Sequence, residues 1–415
     1  MSTLTIPALS VVVLCGPSGS GKSTFARTHF KPTEILSSDY FRGLMRDDEN
    51  SMAATADAFD TLHFVRKRLA AGRLTVIDAT NVRAEDRAQL VAIAREFHAI
   101  PVAIVLDLDV ATCVARNDTR PDRQGSQRWV RSQALTLRRG MGGRSGFALK
   151  REGFHHLHVL SDPAAIAAVS IVREPLWCDR RDQHGPFDII GDVHGCREEL
   201  EALLTRLGYA VADGVWRHGQ DRRVVFLGDL VDRGPDAVGC LRIAMAMCRA
   251  GSAFCVPGNH DAKLLKALQG RSVKIAHGLE LTLAQIAALP ETERDAFRAE
   301  AQAFIDDLVS HLVLDGGKLV VAHAGMKQSM QGRGSRAVRE FALYGETTGE
   351  IDAYGLPVRA DWAADYRGDA AVVYGHTPTV TTAWVNNTIC IDTGCVFGGA
   401  LTALRWPERE LVAVP

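Results

Sequence analysis

Two kinds of residue cluster in this chain could do chemistry on phosphate. Val11–Thr24 reads VVVLCGPSGSGKST, and Gly16 to Ser23 fits G-x-x-x-x-G-K-[ST] between a β-branched run and a helical pattern. Gly16, Gly19 and Gly21 let backbone N–H groups turn onto phosphates, beside Ser18, Ser20 and Thr24, and the following helix N-terminus favours an anion. Lys22 would neutralise the β- and γ-phosphates of ATP, and Ser23 would hold Mg2+. The second kind recurs five times, each time after an apolar run: GDVHG (Asp192, His194), GDLVDRG (Asp229, Asp232, Arg233), GNHD (Asn259, His260, Asp261), VVAHAG (His323) and VVYGHT (His376). Gathered at one sheet edge, such oxygen and imidazole groups suit Mn, Fe or Zn better than a thiolate-loving ion.

Three further stretches bear on the first cluster. LTVIDATN places Asp78 at the C-terminal end of an expected strand, where ligands bind in parallel sheets; Asp78 would hold Mg2+ through water, or cap a helix. ILSSDYFR offers Asp39 and, three residues on, Arg42. On a helix the two share a face, so Asp39 could take a proton from an acceptor hydroxyl while Arg42 clamps a phosphate; the alternative is that Asp39 only caps the helix. Arg116, Arg120 and Arg123 fall in RNDTRPDRQG, either a lid closing over ATP or a solvated basic face.

The elements that must position these groups alternate in type. Before residue 172, strands are expected at Ser10–Cys15, Glu34–Leu36, Leu74–Asp78, Pro101–Leu106 and His156–Leu160. Helices are expected near Lys22–Phe30, Ala56–Ala71, Ala84–Phe97, Val110–Asn117 and Gln127–Arg138. Short Val/Ile strands between helices imply a parallel sheet covered on both faces. A polar segment with two prolines, residues 173–186, reads as a linker between a domain at 1–172 and one at 187–415. The second series opens with Phe187–Ile190 and continues with Val224–Leu227, Ala253–Val256, Leu319–Val321 and Ala371–Val373. Thr381–Val385, Thr388–Ile391 and Leu401–Arg405 read as antiparallel strands, with Asn386–Asn387 as a turn.

Composition sets bounds. The 415 residues carry a net charge of −1, so no global basic field advertises nucleic acid, although a local patch could. Nine cysteines with no CxxC pair argue against a disulfide framework and for a reducing cytoplasm. No apolar run approaches the roughly 18–20 residues of a membrane span, so no membrane partner is expected. Nothing fixes an oligomeric state.

The loop at Gly16, SSDYFR, DATN and RNDTRPDR together resemble the kinase module of the bacterial polynucleotide kinase–phosphatases, RNA-repair enzymes that phosphorylate 5′-OH ends. That resemblance matches the general base to Asp39, the acceptor-side arginine to Arg42 and the lid arginines to Arg116 and Arg120. The later clusters, in their order, resemble the phosphoprotein-phosphatase branch of the calcineurin-like metallophosphoesterases. The resemblance implies an α/β sandwich in which Asp192 and His194 bind one metal and Asp229 bridges to a second, completed by Asn259, His323 and His376. The metals are expected to be Mn2+. It also implies that His260, oriented by Asp232, protonates the leaving group, that Arg233 forks a phosphate oxygen, and that Asp392 in IDTGCVFGG supports the site or caps a turn. The joint implication is an end-healing enzyme: ATP-dependent phosphorylation of 5′-OH ends of RNA or DNA, and removal of 3′-, 2′- or 2′,3′-cyclic phosphate. Fuller family members add a ligase module; no K-x-[DN]-G lysine is present here, so a separate ligase is the expected partner.

Two rival readings keep the same residues. A small-molecule kinase could be fused to a diadenosine-polyphosphate hydrolase or a protein phosphatase, and Asp261, where many protein phosphatases carry Glu, is compatible with the diadenosine branch. Alternatively, ATP binding could gate the phosphatase with no phosphoryl transfer.

Overall fold

The computed structural model describes residues 3–48, 58–119, 126–143, 146–351 and 357–415. It divides into two compact units, Met1–Leu176 with Arg333–Ser335, and Trp177–Gly332 with Arg336–Pro415.

In the first unit five parallel strands run in the order Ile35–Ser37, Thr75–Asp78, Ser10–Cys15, Ile100–Leu106, His156–Leu160. The two central strands are buried along their whole length. Side-chain alternation divides them between two cores: Val11, Val13 and Cys15 pack on one face with Ala103 and Val105, while Val12 and Leu14 pack on the other with Val102 and Ile104. A strand that must satisfy two apolar faces reads as a continuous apolar run, which is why these were legible. Helices at Lys22–His29, Ser38–Arg46, Ala58–Ala70, Ala84–Glu96, Val110–Asp118 and Gln127–Met141 fill the connections.

A strand the sequence did not announce, Ser170–Glu174, pairs in parallel with Thr3–Pro7. Only alternate residues of it are part-buried, so it carries no apolar run. The boundary read at 172–173 falls inside this strand, and the division by contacts falls between Leu176 and Trp177. Arg173 ties the strand down through a bidentate pair with Glu34, at 2.7 and 2.8 Å. Residues 177–186 belong with the second unit, where Cys178 accepts from Val313 N–H and Arg180 N–H donates back to Val313.

The second unit is a sandwich of two sheets. One has the order Ala253–Cys255, Arg223–Phe226, Phe187–Ile190, Ala400–Trp406, Asp392–Thr393, with Glu410–Val414 also on Ala400–Trp406. The other has the order Leu312–Leu314, Leu319–Val321, Ala371–Tyr374, Thr388–Cys390, Trp384–Val385. Phe187, Ile189, Val225, Val321, Val373 and Leu404 interdigitate between them. Helices at Arg197–Leu207, Ala237–Arg249, Asn259–Leu268 and Glu291–Asp307 are among those covering the outer face of the first sheet. The expected strand at Thr381–Val385 is shorter, because the Thr379 hydroxyl bonds the backbone of Thr381 and makes a local turn there. Asn386 and Asn387 do turn the chain, both with positive φ. The last expected strand lies in the other sheet from the two before it, a choice that periodicity cannot make.

The Glu34–Arg173 pair has a definite pH signature. Its hydrogen bonds hold the Glu34 carboxyl below its ordinary 4.5, against the opposing effect of burial. A depressed carboxylate adds stability above its unfolded pKa and loses it as pH falls through the folded one. Glu34→Gln should therefore cost the first unit about 1–2 kcal/mol at neutral pH. Urea unfolding should show the wild type losing that margin on acidification below 4.5, with the variant showing no such acid-linked loss.

Candidate active sites

Three adjacent parallel strands of the first unit end beside one cavity of about 1000 Å3. Ser10–Cys15 delivers the glycine loop, Thr75–Asp78 delivers Asp78, and Ile35–Ser37 delivers Asp39 and Arg42; all line that cavity, as does Arg116. Gly21 stands at φ 94° just before the helix Lys22–His29, so the loop's N–H groups and the helix N-terminus open on the same space. Gly19, at φ 79°, is required by proximity too: a Cβ there would lie 2.1 Å from the Cys113 carbonyl oxygen. Lys22 is buried and donates to the Gly16 and Pro17 carbonyls at 2.8 and 2.9 Å, folded along the loop that phosphates would enter.

Ser37, rather than Asp39, caps the helix Ser38–Arg46 by accepting from Tyr40 N–H. Asp39 sits in the first turn and pairs with Arg42, so acid and cation do share a face. Arg120 and Arg123 lie outside the described residues.

Some supporting residues escaped the sequence reading. Gln133 accepts from Ser18 N–H at 2.8 Å and so fixes the loop from the helix Gln127–Met141. Asn81 bonds the Leu14 carbonyl at 2.8 Å, and the fully buried Arg87 bonds the Asn81 carbonyl while pairing with Glu152 at 2.8 and 2.6 Å. DATN contains Asn81; nothing in the sequence marks Gln133 or Arg87.

In the second unit the five clusters converge. Asp229, 2% exposed, places one carboxylate oxygen 3.5 Å from His194 Nε2 and 3.4 Å from His323 Nε2. Its other oxygen accepts from the His260 backbone N–H at 2.9 Å. Asn259 Oδ1 lies 3.0 Å from His323 Nε2 and 2.8 Å from His376 Nδ1. His194 and His323 direct Nδ1 to the carbonyls of Val231 and Leu227, at 2.9 and 3.1 Å, which leaves each Nε2 turned inward. Asp192 accepts from His376 N–H with one oxygen, and its other oxygen is buried with no hydrogen-bond partner. Asp392 faces Asp192 closely enough to raise it, and also closes the next turn by accepting from Gly394 N–H.

His260 Nδ1 is 2.7 Å from Asp232 Oδ2, and Thr282 donates to the other Asp232 oxygen at 2.7 Å while accepting from its backbone N–H. Thr282 belongs to the helix Leu279–Ala287, in a region whose elements the sequence left vague, and no motif flagged it. Arg233 donates to His194 Nε2 at 2.7 Å and lies over the Phe397 ring at 5.1 Å. Asp261 ties the cluster together, accepting from Leu230 and Gly258 N–H.

These groups fit divalent cations. Burial and then the Asp392 charge push Asp192 well above the ordinary carboxylate range, and its orphaned oxygen has no protein donor to turn to. Burial opposes charge on His323, yet Asp229 and Asp192 outweigh it and hold the imidazole protonated up to about 10. Burial keeps His194 and His376 neutral, at about 4 and about 3. A Cβ on Gly258 would lie 2.0 Å from Asp229, and one on Gly375 2.1 Å from Asp192, so both glycines keep the cradle open. His194, Asp229, Asp232, Arg233 and His376 all take positive φ, a backbone that non-glycine residues hold only under constraint.

A calcineurin-like phosphoesterase family match spans residues 185–380, and an AAA domain match spans residues 11–141. The chain belongs to the calcineurin-like phosphoesterases, with a P-loop kinase-like domain ahead of the phosphoesterase unit. Several curated relatives align with the phosphoesterase part and are named bis(5′-nucleosyl)-tetraphosphatase PrpE [asymmetrical]. The protein of Geobacillus thermodenitrificans is 48% identical over 229 residues, 55% of this chain and 94% of the relative. Those of Bacillus velezensis and Bacillus subtilis are 48% and 45% identical, over 92% and 94% of their lengths. No helix among the described residues is long and apolar enough to cross a membrane.

Because Asp229 and Asp192 hold the His323 imidazole protonated up to about 10, a cation bound there must displace its proton. Metal affinity should therefore rise with pH between about 6 and 9. Calorimetry in buffers of different ionisation enthalpy should detect the released proton, and Asn259→Ala should bind one equivalent fewer of Mn2+ than wild type.

Proposed function

We propose that the second unit hydrolyses bis(5′-nucleosyl)-tetraphosphates asymmetrically, to a nucleoside triphosphate and a monophosphate, and that the first unit is an ATP-dependent phosphotransferase. The observation that carries the first half is the identity of 48% across 94% of a relative so named, in a chain whose buried donors converge as that chemistry requires. Asp192, His194, Asp229, Asn259, His323 and His376 would hold two divalent ions, with Mn2+ the first choice. When bound, such ions supply Lewis acidity toward phosphoryl oxygens and lower the pKa of water. Arg233 presents a guanidinium fork for a substrate phosphate, steadied by the Phe397 ring. His260, its Nδ1 fixed by Asp232, keeps Nε2 available to give a proton to the departing oxygen.

The leaving group separates this reading from end-healing. A nucleoside polyphosphate departs as a phosphate with a pKa of about 6, and needs little help. A ribose oxygen departs as an alkoxide whose conjugate acid lies near the roughly 15.7 of water, and needs its proton. His260→Asn should then lower tetraphosphate hydrolysis by about tenfold or less, while lowering release of a 3′-phosphate by about 100-fold or more.

End-healing is kept as a second reading because Asp39 and Arg42 border the cavity that receives the glycine loop. A polynucleotide 5′-OH, of RNA or DNA, would lose its proton to Asp39 as Lys22 and Arg116 balance charge on the transferring group, with Ser23 and Asp78 holding Mg2+. A separate ligase would then seal the healed ends. One comparison tests both readings. Diadenosine tetraphosphate with Mn2+ should yield ATP and AMP; a 5′-OH oligonucleotide with γ-labelled ATP should or should not acquire label; a 2′,3′-cyclic phosphate end should or should not be cleared. Clearance of the cyclic end with no AMP from the tetraphosphate would overturn the proposal in favour of end-healing.

A further inference from the structure

We infer that Cys196 and Cys395 form a reversible disulfide when the protein meets a peroxide, joining the loop that carries His194 to the turn that follows the strand of Asp392. The Cys196 thiol donates to the His194 carbonyl at 3.9 Å. The two sulfurs and a Glu199 carboxylate oxygen all lie within 4.8 Å of one another. They come from far-separated stretches: Cys196 ends GDVHGC and caps the helix Arg197–Leu207, while Cys395 opens the short turn Cys395–Phe397 after Asp392–Thr393. None of the roles assigned above uses either sulfur, and the site's donors are nitrogen and oxygen. A third thiol, Cys240, shares the same core but is fully buried. Cys395, at 9% exposed, is the least buried of the three.

The chemistry balances. One sulfur, as thiolate, attacks a peroxide oxygen; the O–O bond breaks, the sulfur becomes a sulfenic acid, and the other oxygen leaves as water with the thiol's proton. The second sulfur attacks the sulfenic sulfur, forms the S–S bond and expels hydroxide, which takes the remaining thiol proton and leaves as water. Two thiols lose two electrons, and one peroxide becomes two waters. Glu199, on the first turn of the helix Arg197–Leu207, is placed to relay a thiol proton.

The bond would be felt at the site. A disulfide brings the sulfurs to about 2.05 Å, closer than any non-bonded pair of thiols, so the loop and the turn must shift. Cys196 is separated from His194 only by Gly195, whose φ of 70° makes a tight turn. Cys395 is two residues from Phe397, the ring beneath Arg233. Displacements of about 1 Å in positioning groups cost up to about 100-fold in rate. The inference holds whichever phosphoryl compound the unit hydrolyses.

The test uses the full chain. After hydrogen peroxide and alkylation under denaturing conditions, peptide mass mapping should show a Cys196–Cys395 cross-link, and thiol titration should show two fewer of the nine thiols. Turnover of a chromogenic aryl phosphate should fall by about tenfold and return with dithiothreitol. Cys395→Ser should keep its activity through the same treatment. A cross-link to Cys240, sulfinic acid at Cys196 with no cross-link, or equal inactivation of Cys395→Ser would each overturn the inference.

Discussion

A carboxylate removed from water and set between two imidazoles organises the second unit. Asp229 is 2% exposed, yet burial alone would force it neutral. It stays charged, well below the ordinary carboxylate range, because the protonated His323 faces it and bonds to it. The nearby Asp192 and Asp392 meet the opposite fate and are pushed upward by burial and by acidic neighbours. With all five of its buried carboxyl groups ionised, Asp192, Asp229, Asp232, Asp261 and Asp392, and one imidazole protonated, the cluster would be short of positive charge. Divalent cations would remove that deficit.

Holding so many donors at one point takes unusual backbone. Five of the residues at the site adopt positive φ, and each left-handed turn costs on the order of 1–3 kcal/mol. The offset comes from the sandwich behind them. Val225, Leu227, Val321 and Val373 are among the fully buried side chains in the strands that deliver the clusters. Asp261 adds the local restraint, receiving N–H groups from the GDLVD turn and from the start of the helix Asn259–Leu268. Rigid strands and strained turns thus divide the work: the first fix positions, the second aim side chains.

The first unit solves a related problem without buried acids. Its ligand groups are backbone N–H donors, so the loop needs glycine and close packing rather than charge. Gly19 touches the Cys113 carbonyl region, Gln133 holds Ser18, and Arg87 braces Asn81 beneath the loop. Lys22 resting on the loop's own carbonyls is a cation waiting in the place of negative charge. On the proposed reading both units take phosphate, approached by dipoles in one and by cation-holding donors in the other.

Much of this was written locally. The glycine loop, the carboxylate-and-histidine clusters and the apolar strands before them are short-range patterns, and each strand end carries its chemistry within a few residues. That is enough to give two α/β units and to name His194, Asp229, His323 and their neighbours as one set. The polynucleotide substrate drawn from resemblance is a different matter: relatives 48% and 45% identical bear the name of dinucleoside tetraphosphatases, and donors that hold cations do not encode the compound attacked. Tertiary structure alone decided that Ala400–Trp406 enters the first sheet, that Thr282 steadies Asp232 across 50 residues, and that Cys196 meets Cys395. Those outcomes depend on side chains distant in sequence competing for one partner, and no window along the chain contains both competitors.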